Sequence, residues 1–390
     1  MNHDAPPTPT RPGWGQSLYS GAAGVTLLHA IRAHVREEDR DALRPWAAAM
    51  VKGPIQAVPE ACGLYEGAPA VAYALSFTHT NTAAHALATL DGHLADVTRQ
   101  RLRQAHARID RGALPTLSEY DLISGLTGLG AYHLHRGHQT ELRGTLAYLV
   151  RLTEPITDEQ RLPGWWTDDS PDLRPSPQWP GGHGNFGLAH GIGGPLALLA
   201  TALRHGHTVP GQTEAISRIC DWLDHWRTGT GSRAWWPHLI TRAEHRRGKL
   251  RHPGPTRPSW CYGTPGIARA QQLAGIALGD HDRQHQAEKA LAGCLSDDRQ
   301  LAQLTDASLC HGWAGLVHTV SRTAADAIVD ELAAHLPHLH TRLNEHLRHR
   351  GLPDCTGLME GTAGIHLVRL TDPVNAAITA PWDRCLLLAG

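Results

Sequence analysis

The chain has 390 residues, 41% of them apolar, and its 36 basic residues almost balance its 37 acidic residues. This length fits two or three domains or one repeat-built domain, and the near-neutral charge excludes a strong field for nucleic acid or an anionic membrane. The sequence has no apolar run of the ~20 residues that a membrane span needs and no N-terminal signal segment. We therefore expect a reducing, cytoplasmic setting in which the seven cysteines are thiols or metal ligands.

The N-terminal residues 1–16 form a polar, Pro-rich segment, and we expect residues 17–390 to form a single domain. Within that domain one pattern recurs: a small or polar lead-in, a Gly-x-x-Gly and an apolar helical stretch. Only the second copy departs from it, with Ala70 in place of the second glycine. The first glycines of the seven copies are Gly21, Gly67, Gly125, Gly191, Gly263, Gly312 and Gly361.

The shorter spacings between these glycines, 46 and 49 residues, hold two helices of about 12–15 residues with their connections. The pattern therefore predicts an all-α chain of seven helical hairpins. Such hairpins either stack as an open solenoid or close into an α/α toroid, a double ring, and repeats alone do not decide between the two. The extra length falls in residues 161–186 and 229–258, which we expect to be ordered loops containing a short hairpin. The tryptophans of these two loops either have a functional role or cap the core.

Chemistry-bearing residues occupy matching positions in neighbouring copies. Cys261 of the fifth copy and Cys310 of the sixth both lie two residues before the first glycine. His311 and His190, of the fourth copy, both lie one residue before it. In a closed ring these positions converge at one end of the cavity. Two thiols and an imidazole suit Zn²⁺, and three protein ligands with an open fourth position are typical of a catalytic zinc.

The copies resemble those of the lanthionine synthetase C-like family, the class I lanthipeptide cyclases, from about Gly21 to Gly364. The most specific segments are RPSWCYGTPG, LCHGWAGL and GLAHGIGG. The resemblance implies an α/α toroid whose zinc ligands are Cys261, Cys310 and His311. It further implies catalytic roles for His190, Asp121, Arg257, Tyr262 and Trp260.

In that family a peptide cysteine adds to dehydroalanine or dehydrobutyrine in the same dehydrated leader–core precursor. The resemblance implies that His190 transfers protons and that Asp121 orients the His190 imidazole or stabilises its positive charge. It also implies that Arg257 stabilises the oxygen of the enolate that forms when the thiol adds. A dehydratase and a transporter would be partners, with the protein cytoplasmic or peripheral at the membrane. Three alternatives stay open: addition of glutathione or another thiol to dehydroamino acids in proteins, a prenyltransferase-like toroid and a non-catalytic peptide-binding scaffold.

Two further sets of residues have simpler interpretations. Glu66 and Glu360 share the position of His311, so they either line the cavity or cap helix N-termini. We expect the remaining cysteines to be packing residues. They are Cys62, Cys220, Cys294, Cys355 and Cys385.

Overall fold

A computed structural model describes residues 5–9, 11–35, 40–156, 162–174, 176–251, 254–371 and 381–389. In every copy of the repeat an inner helix begins one or two residues after the first glycine. The inner helices are α1 (Ala22–Val35), α3 (Ala68–Leu75), α6 (Leu126–Arg136), α8 (Gly193–Arg204), α11 (Thr264–Leu278), α14 (Trp313–Ala325) and α16 (Thr362–Leu370).

Six of the inner helices are followed by an outer helix that packs against them. The outer helices are α2 (Arg40–Met50), α4 (Asn81–Asp110), α7 (Gln139–Leu152), α9 (Gln212–Trp226), α12 (His281–Leu295) and α15 (Glu331–Arg350). The second arm of the seventh hairpin would fall on 372–380, which lie outside the described residues. Three short helices lie in connections: α5 (Leu117–Tyr120), α10 (Arg242–Arg247) and α13 (Asp298–Leu301).

The inner helices form a closed ring. Each packs against the inner helix of the next copy, and α16 packs against α1. This closure excludes the open solenoid and confirms the α/α toroid. None of the described helices combines the length and the apolar character that a membrane crossing requires.

Backbone hydrogen bonds join the lead-in segments into a closed belt. In each link an N–H of one copy donates to a carbonyl of the next, with N···O distances of 2.8 to 3.4 Å. The last link returns from the seventh copy to the first. The links run from Leu18 to Tyr65, Tyr65 to Ile123, Leu122 to Ala189, Leu188 to Cys261, Cys261 to Cys310, Cys310 to Met359 and Met359 to Tyr19.

The second glycine of the pattern lies against the carbonyl oxygen six residues before it. A Cβ atom at Gly364 would lie 2.0 Å from the oxygen of Leu358, and one at Gly266 would lie 2.1 Å from that of Trp260. Because these separations are far inside van der Waals contact, the lead-in and the helix can pack this closely only without a side chain. The glycine pattern therefore fixes how each belt segment sits on its inner helix.

The two long insertions pair with each other through a short antiparallel sheet, β1 (His183–Asn185) and β2 (Leu239–Thr241). These two strands come from separate loops, so they are not the short hairpin that the sequence predicted. Trp165, Trp166 and Trp236 are buried in the core. These three tryptophans pack the insertions onto the ring.

The C-terminal residues 381–389 enter the ring and are held there by hydrogen bonds to their carbonyls. Tyr73 Oη donates to the carbonyl of Trp382 at 2.8 Å, and Tyr65 Oη donates to that of Cys385 at 2.8 Å. Trp382 and Cys385 are fully buried. This segment therefore fills part of the space inside the toroid.

Four of the five remaining cysteines are buried as predicted, and Cys355 is exposed. The packing prediction for Cys355 is therefore wrong. Its thiol lies in the seventh lead-in, where Sγ donates to the carbonyl of Glu360 at 3.3 Å. The side chain of Cys355 therefore lies at the surface of the ring rather than in its core.

We expect Gly364→Ala to lower the free energy of unfolding by about 1–3 kcal/mol, because the new methyl group overlaps the Leu358 carbonyl. The matched control is Gly92→Ala in the middle of α4, where a Cβ atom meets nothing within 4 Å. That change should be neutral or raise stability by up to about 1 kcal/mol. Urea unfolding of the three proteins measures the difference, and equal stabilities would refute the packing role of the second glycine.

Candidate active site

The three predicted metal ligands lie together at the N-terminal ends of inner helices α11 and α14. The ligand atoms of Cys261, Cys310 and His311 are all within 4.8 Å of one another. Both thiols are buried, with 5% and 7% of each residue exposed. The belt link from the Cys261 N–H to the Cys310 carbonyl, 3.2 Å long, fixes the spacing of the two cysteines.

This donor set fits a zinc ion. Ligand atoms about 2.0–2.3 Å from a tetrahedral Zn²⁺ lie about 3.3–3.8 Å apart, which the observed cluster reaches with small side-chain rotations. The hydrogen bond from Cys310 and the neighbouring His311 hold the pKa of the Cys261 thiol well below its usual range, although burial opposes them. Zinc binds the thiolate form, so this shift favours metal binding.

Asp306 lies beside the imidazole of His311 and was not predicted. Its Oδ2 is 3.6 Å from His311 Nε2, and its Oδ1 accepts the Ser308 N–H at 2.7 Å. Asp306 lies six residues before the first glycine of its copy, the position of Arg257 in the fifth copy. A carboxylate at this distance can orient a ligating imidazole.

Half-buried His190 of the fourth copy, the copy before that of Cys261, pairs with buried Asp121 of the third copy. His190 Nδ1 is 2.6 Å from Asp121 Oδ2, and Asp121 is fully buried. Burial lowers the pKa of His190, but the hydrogen bond and the negative charge of Asp121 outweigh it and raise that pKa. The pair therefore favours a protonated imidazole.

The position of Asp121 explains how the pair arises. Asp121 lies four residues before the first glycine of its copy, and in three other copies that residue is a serine. The serine Oγ accepts a backbone N–H of its own lead-in, as Ser308 does from His311. Asp121 Oδ1 makes the same kind of contact, accepting the N–H groups of Ser124 and Gly125 at 2.7 Å each. Because a carboxylate has a second oxygen, Asp121 can reach His190 as well.

Tyr262 and Arg257 flank the metal-ligand group. Tyr262 holds in the fifth copy the position that His190 holds in the fourth copy and His311 in the sixth, one residue before the first glycine. Its hydroxyl accepts a hydrogen bond from Nδ2 of Asn185 at 3.1 Å. Arg257 is half-buried, and its Nε has no hydrogen-bond partner among the described residues. A buried N–H without a partner is available to a bound molecule.

Trp260 lies beside Cys261 in the chain, but its indole is fully buried. Its Nε1–H donates to the carbonyl of Leu386 in the C-terminal segment at 3.0 Å. The indole therefore packs in the core, where it fixes the lead-in that carries Cys261.

Tyr19 of the first copy also belongs to this end of the ring. It holds the position that Cys261 and Cys310 hold in their copies, a signal that could have identified it, and its hydroxyl donates to Glu360 Oε1 at 2.7 Å. Burial and the nearby Cys310 and Glu360 raise the pKa of the phenol well above its usual range, so it stays protonated.

Glu66 lies in the second copy, across this end of the ring from the candidate metal ligands. It accepts a hydrogen bond from Ser17 Oγ at 2.7 Å and one from Arg11 at 3.2 Å. Among the described residues the carboxylates of Glu66 and Glu360 accept hydrogen bonds from other side chains, and neither accepts a backbone N–H of the helix that follows it. Their bonds to other side chains place both glutamates along the end of the cavity.

The fold and the site define an α/α toroid with a candidate Cys-Cys-His metal centre at the N-terminal ends of its inner helices. The family model of the lanthionine synthetase C-like proteins matches residues 12–387, and the chain belongs to this family.

Two relatives illustrate the likeness. The chain is 25% identical to the nisin biosynthesis protein NisC of Lactococcus lactis subsp. lactis over 277 residues, which are 70% of this chain and 65% of that protein. The solved structure of nisin cyclase matches 97% of this chain and 93% of its own, with a TM-score of 0.81 and 22% identity. This second likeness shows a shared fold.

We expect Asp121→Asn to lower the pKa of His190, because the amide removes the charge that favours the imidazolium. A pH titration of the imidazole Cε1–H resonance by NMR measures this, with His346 on α15 as the internal reference. In the wild-type protein the raised pKa contributes stability below the unfolded value of about 6.5, which is lost as pH rises through the folded value. Asp121→Asn should remove that contribution, and an unchanged His190 titration would contradict the pairing.

Proposed function

We propose that this protein is a zinc-dependent lanthipeptide cyclase. It would add cysteine thiols of a dehydrated precursor peptide to dehydroalanine or dehydrobutyrine in the same peptide, giving lanthionine and methyllanthionine rings. The observation that carries the proposal is the Cys261–Cys310–His311 group beside the His190–Asp121 pair at one end of the cavity. Membership of the lanthionine synthetase C-like family supports it.

Cys261, Cys310 and His311 would hold one zinc ion and leave one of its four positions to the substrate. A free cysteine has a pKa of about 8.5, and Zn²⁺ at this site would lower the pKa of a substrate thiol so that its thiolate forms at neutral pH. The two buried protein thiols and the oriented His311 imidazole fix where that sulfur lies.

His190 would supply the proton that completes the addition. When the thiolate sulfur bonds to the β-carbon, the electron pair of the double bond moves toward the α-carbon and the adjacent carbonyl. Because Asp121 engages Nδ1, Nε2 is the nitrogen free to give its proton to the α-carbon. The proton released by the next substrate thiol restores the imidazolium, so the reaction consumes no proton overall.

The residues around this pair would position the reacting groups. The unpaired Nε–H of Arg257 is suited to donate to the enolate oxygen as negative charge develops there. Tyr262, held by Asn185, would form the wall between His190 and the metal ligands. Trp260 acts through Cys261 as a positioning residue, since its buried indole cannot touch a substrate.

The substrate and partners follow from the same reaction. A peptide that already carries dehydroamino acids must come from a dehydratase acting on serine and threonine. The cyclised product of a leader–core precursor would pass to a transporter, which favours a cytoplasmic protein peripheral to the membrane. The competing reaction, addition of glutathione to dehydroamino acids, would use the same site with a separate thiol.

We expect His190→Ala to slow ring closure by about 10²–10⁴-fold, the usual contribution of proton-transfer catalysis, while retaining its zinc and fold. The assay incubates the zinc-loaded protein with a dehydrated Cys-containing peptide near neutral pH. It then counts free thiols by alkylation and mass spectrometry. His346→Ala on α15 is the matched control and should cyclise at the wild-type rate.

Parallel incubations with glutathione and a cysteine-free dehydrated peptide test the competing reaction. Ring closure without glutathione transfer supports the cyclase, and the reverse result supports the alternative. Wild-type cyclisation by His190→Ala would remove that residue from the mechanism, and loss of its zinc would make it a metal ligand.

A further inference from the structure

We propose that the end of the toroid remote from the metal site is a binding cavity for a small phosphate-bearing anion. A cavity of about 360 Å³ lies there between the C-terminal segment 381–389 and helices α6 and α8. His135, near the last residue of α6, lines it, whereas the metal site lies at the first residues of the inner helices. An 11-residue helix is about 16 Å long, so the two sites are well separated.

The acidic residue nearest this cavity is already neutralised. Asp383 of the C-terminal segment is fully buried and accepts two hydrogen bonds from Arg322, at 2.6 and 2.9 Å. His318 Nε2 lies 2.8 Å from the same carboxylate. Burial raises the pKa of Asp383, but its two partners outweigh burial and lower it to about 2. This carboxylate therefore has no further capacity to balance other cations.

Arg384 supplies a positive charge without a counterion. Its guanidinium lines the cavity, and the part of the chain that the structure describes gives that guanidinium no hydrogen bond or ion pair. Among the described residues that line the cavity, none is an aspartate or a glutamate. The cavity therefore combines two guanidinium groups, from Arg322 and Arg384, with one carboxylate that lies buried behind it.

Three imidazoles, those of His135, His205 and His207, line the cavity beside these charges. Burial and the charge of Arg384 lower the pKa of His135 to about 3 and also lower that of His205. The N–H of the neutral His135 ring is used at Nε2, 2.8 Å from Ser76 Oγ, because that hydroxyl gives its own proton to the Tyr73 carbonyl. The imidazole donors for a bound anion therefore come from His205 and His207.

This combination suits a phosphate group better than a single carboxylate. Guanidinium and imidazole groups from α14, the segment after α8 and the C-terminal segment line the cavity, and a tetrahedral phosphate offers oxygens in several directions. The volume lies in the range of small-molecule sites. Free phosphate or pyrophosphate and a nucleoside diphosphate share this chemistry.

A structural explanation competes with ligand binding. Cations near helix C-termini compensate the partial negative charge of the last carbonyls, and α6 and α8 both end here. However, α6 is closed by the N–H of its C-cap Gly137, which bonds to carbonyls of its last turn. Arg384 comes from a different segment and, within the described part of the chain, makes no hydrogen bond to those carbonyls, which leaves its charge for an anion.

Isothermal titration calorimetry on the full-length protein tests the proposal with pyrophosphate, inorganic phosphate and adenosine diphosphate at constant ionic strength. The wild-type protein should bind at least one of these three anions, and comparison of the three titrations identifies which one the cavity binds best. Arg384→Gln should weaken that binding about 10- to 100-fold, since it removes a charged hydrogen bond. The matched control is Arg103→Gln, at an exposed arginine on α4, which should bind as the wild type does.

A second variant keeps the test decisive if Arg384→Gln is poorly folded. His207→Asn should weaken binding several-fold while the circular dichroism spectrum and zinc content stay unchanged. Absence of binding by the wild-type protein at millimolar pyrophosphate would overturn the proposal and leave Arg384 as compensation for helix carbonyls. Equal affinity in the wild type and a folded Arg384→Gln would overturn it as well. Neither result bears on cyclisation, because the cavity lies at the other end of the ring.

Discussion

The structure depends on one backbone constraint, the closed belt of hydrogen bonds between neighbouring lead-ins. Each link is an ordinary N–H to carbonyl bond of 2.8 to 3.4 Å, but the links are coupled because the last returns to the first copy. Three successive links involve Cys261 or Cys310, and one joins them directly, so the sulfur atoms lie at a spacing set by the ring itself. A strained or open ring would separate the two cysteines, and the site would lose its geometry with the fold.

The same belt points the inner helices in one direction, with their N-terminal ends at the candidate metal site. Their first N–H groups donate to carbonyls of the lead-ins, as Gly266 does to Ser259 and Gly315 does to Ser308. The helix dipoles still make this end positive. A positive end favours thiolates in the metal group and the negative charge of an enolate. It also leaves the opposite end negative, where Arg384 of the C-terminal segment and Arg322 of α14 lie.

The sequence was sufficient for the repeat and for the clustering of three candidate metal ligands, because both depend on position relative to one glycine. Cys261, Cys310 and His311 lie one or two residues before that glycine in their copies and meet in the structure. The role of Asp121 was predicted only from the family resemblance. Its position supplies the physical reason for its pairing with His190, because it places a carboxylate where three other copies have a serine. The position of the C-terminal segment inside the ring could not be predicted, because it depends on contacts between residues 320 and 309 positions apart. The exposure of Cys355 is a property of one lead-in, which a pattern shared by all seven copies does not encode.

The central claim is that the ring assembles a metal site with two protein sulfurs and one open position. Zinc X-ray absorption spectroscopy on the metal-loaded protein tests it directly. About one zinc per chain should show two sulfur ligands and one imidazole, with Cys310→Ala losing most of the metal. Addition of a dehydrated Cys-containing peptide to His190→Ala should raise the sulfur count from two to three. An unchanged count with four protein ligands, or full zinc retention by Cys310→Ala, would contradict the account.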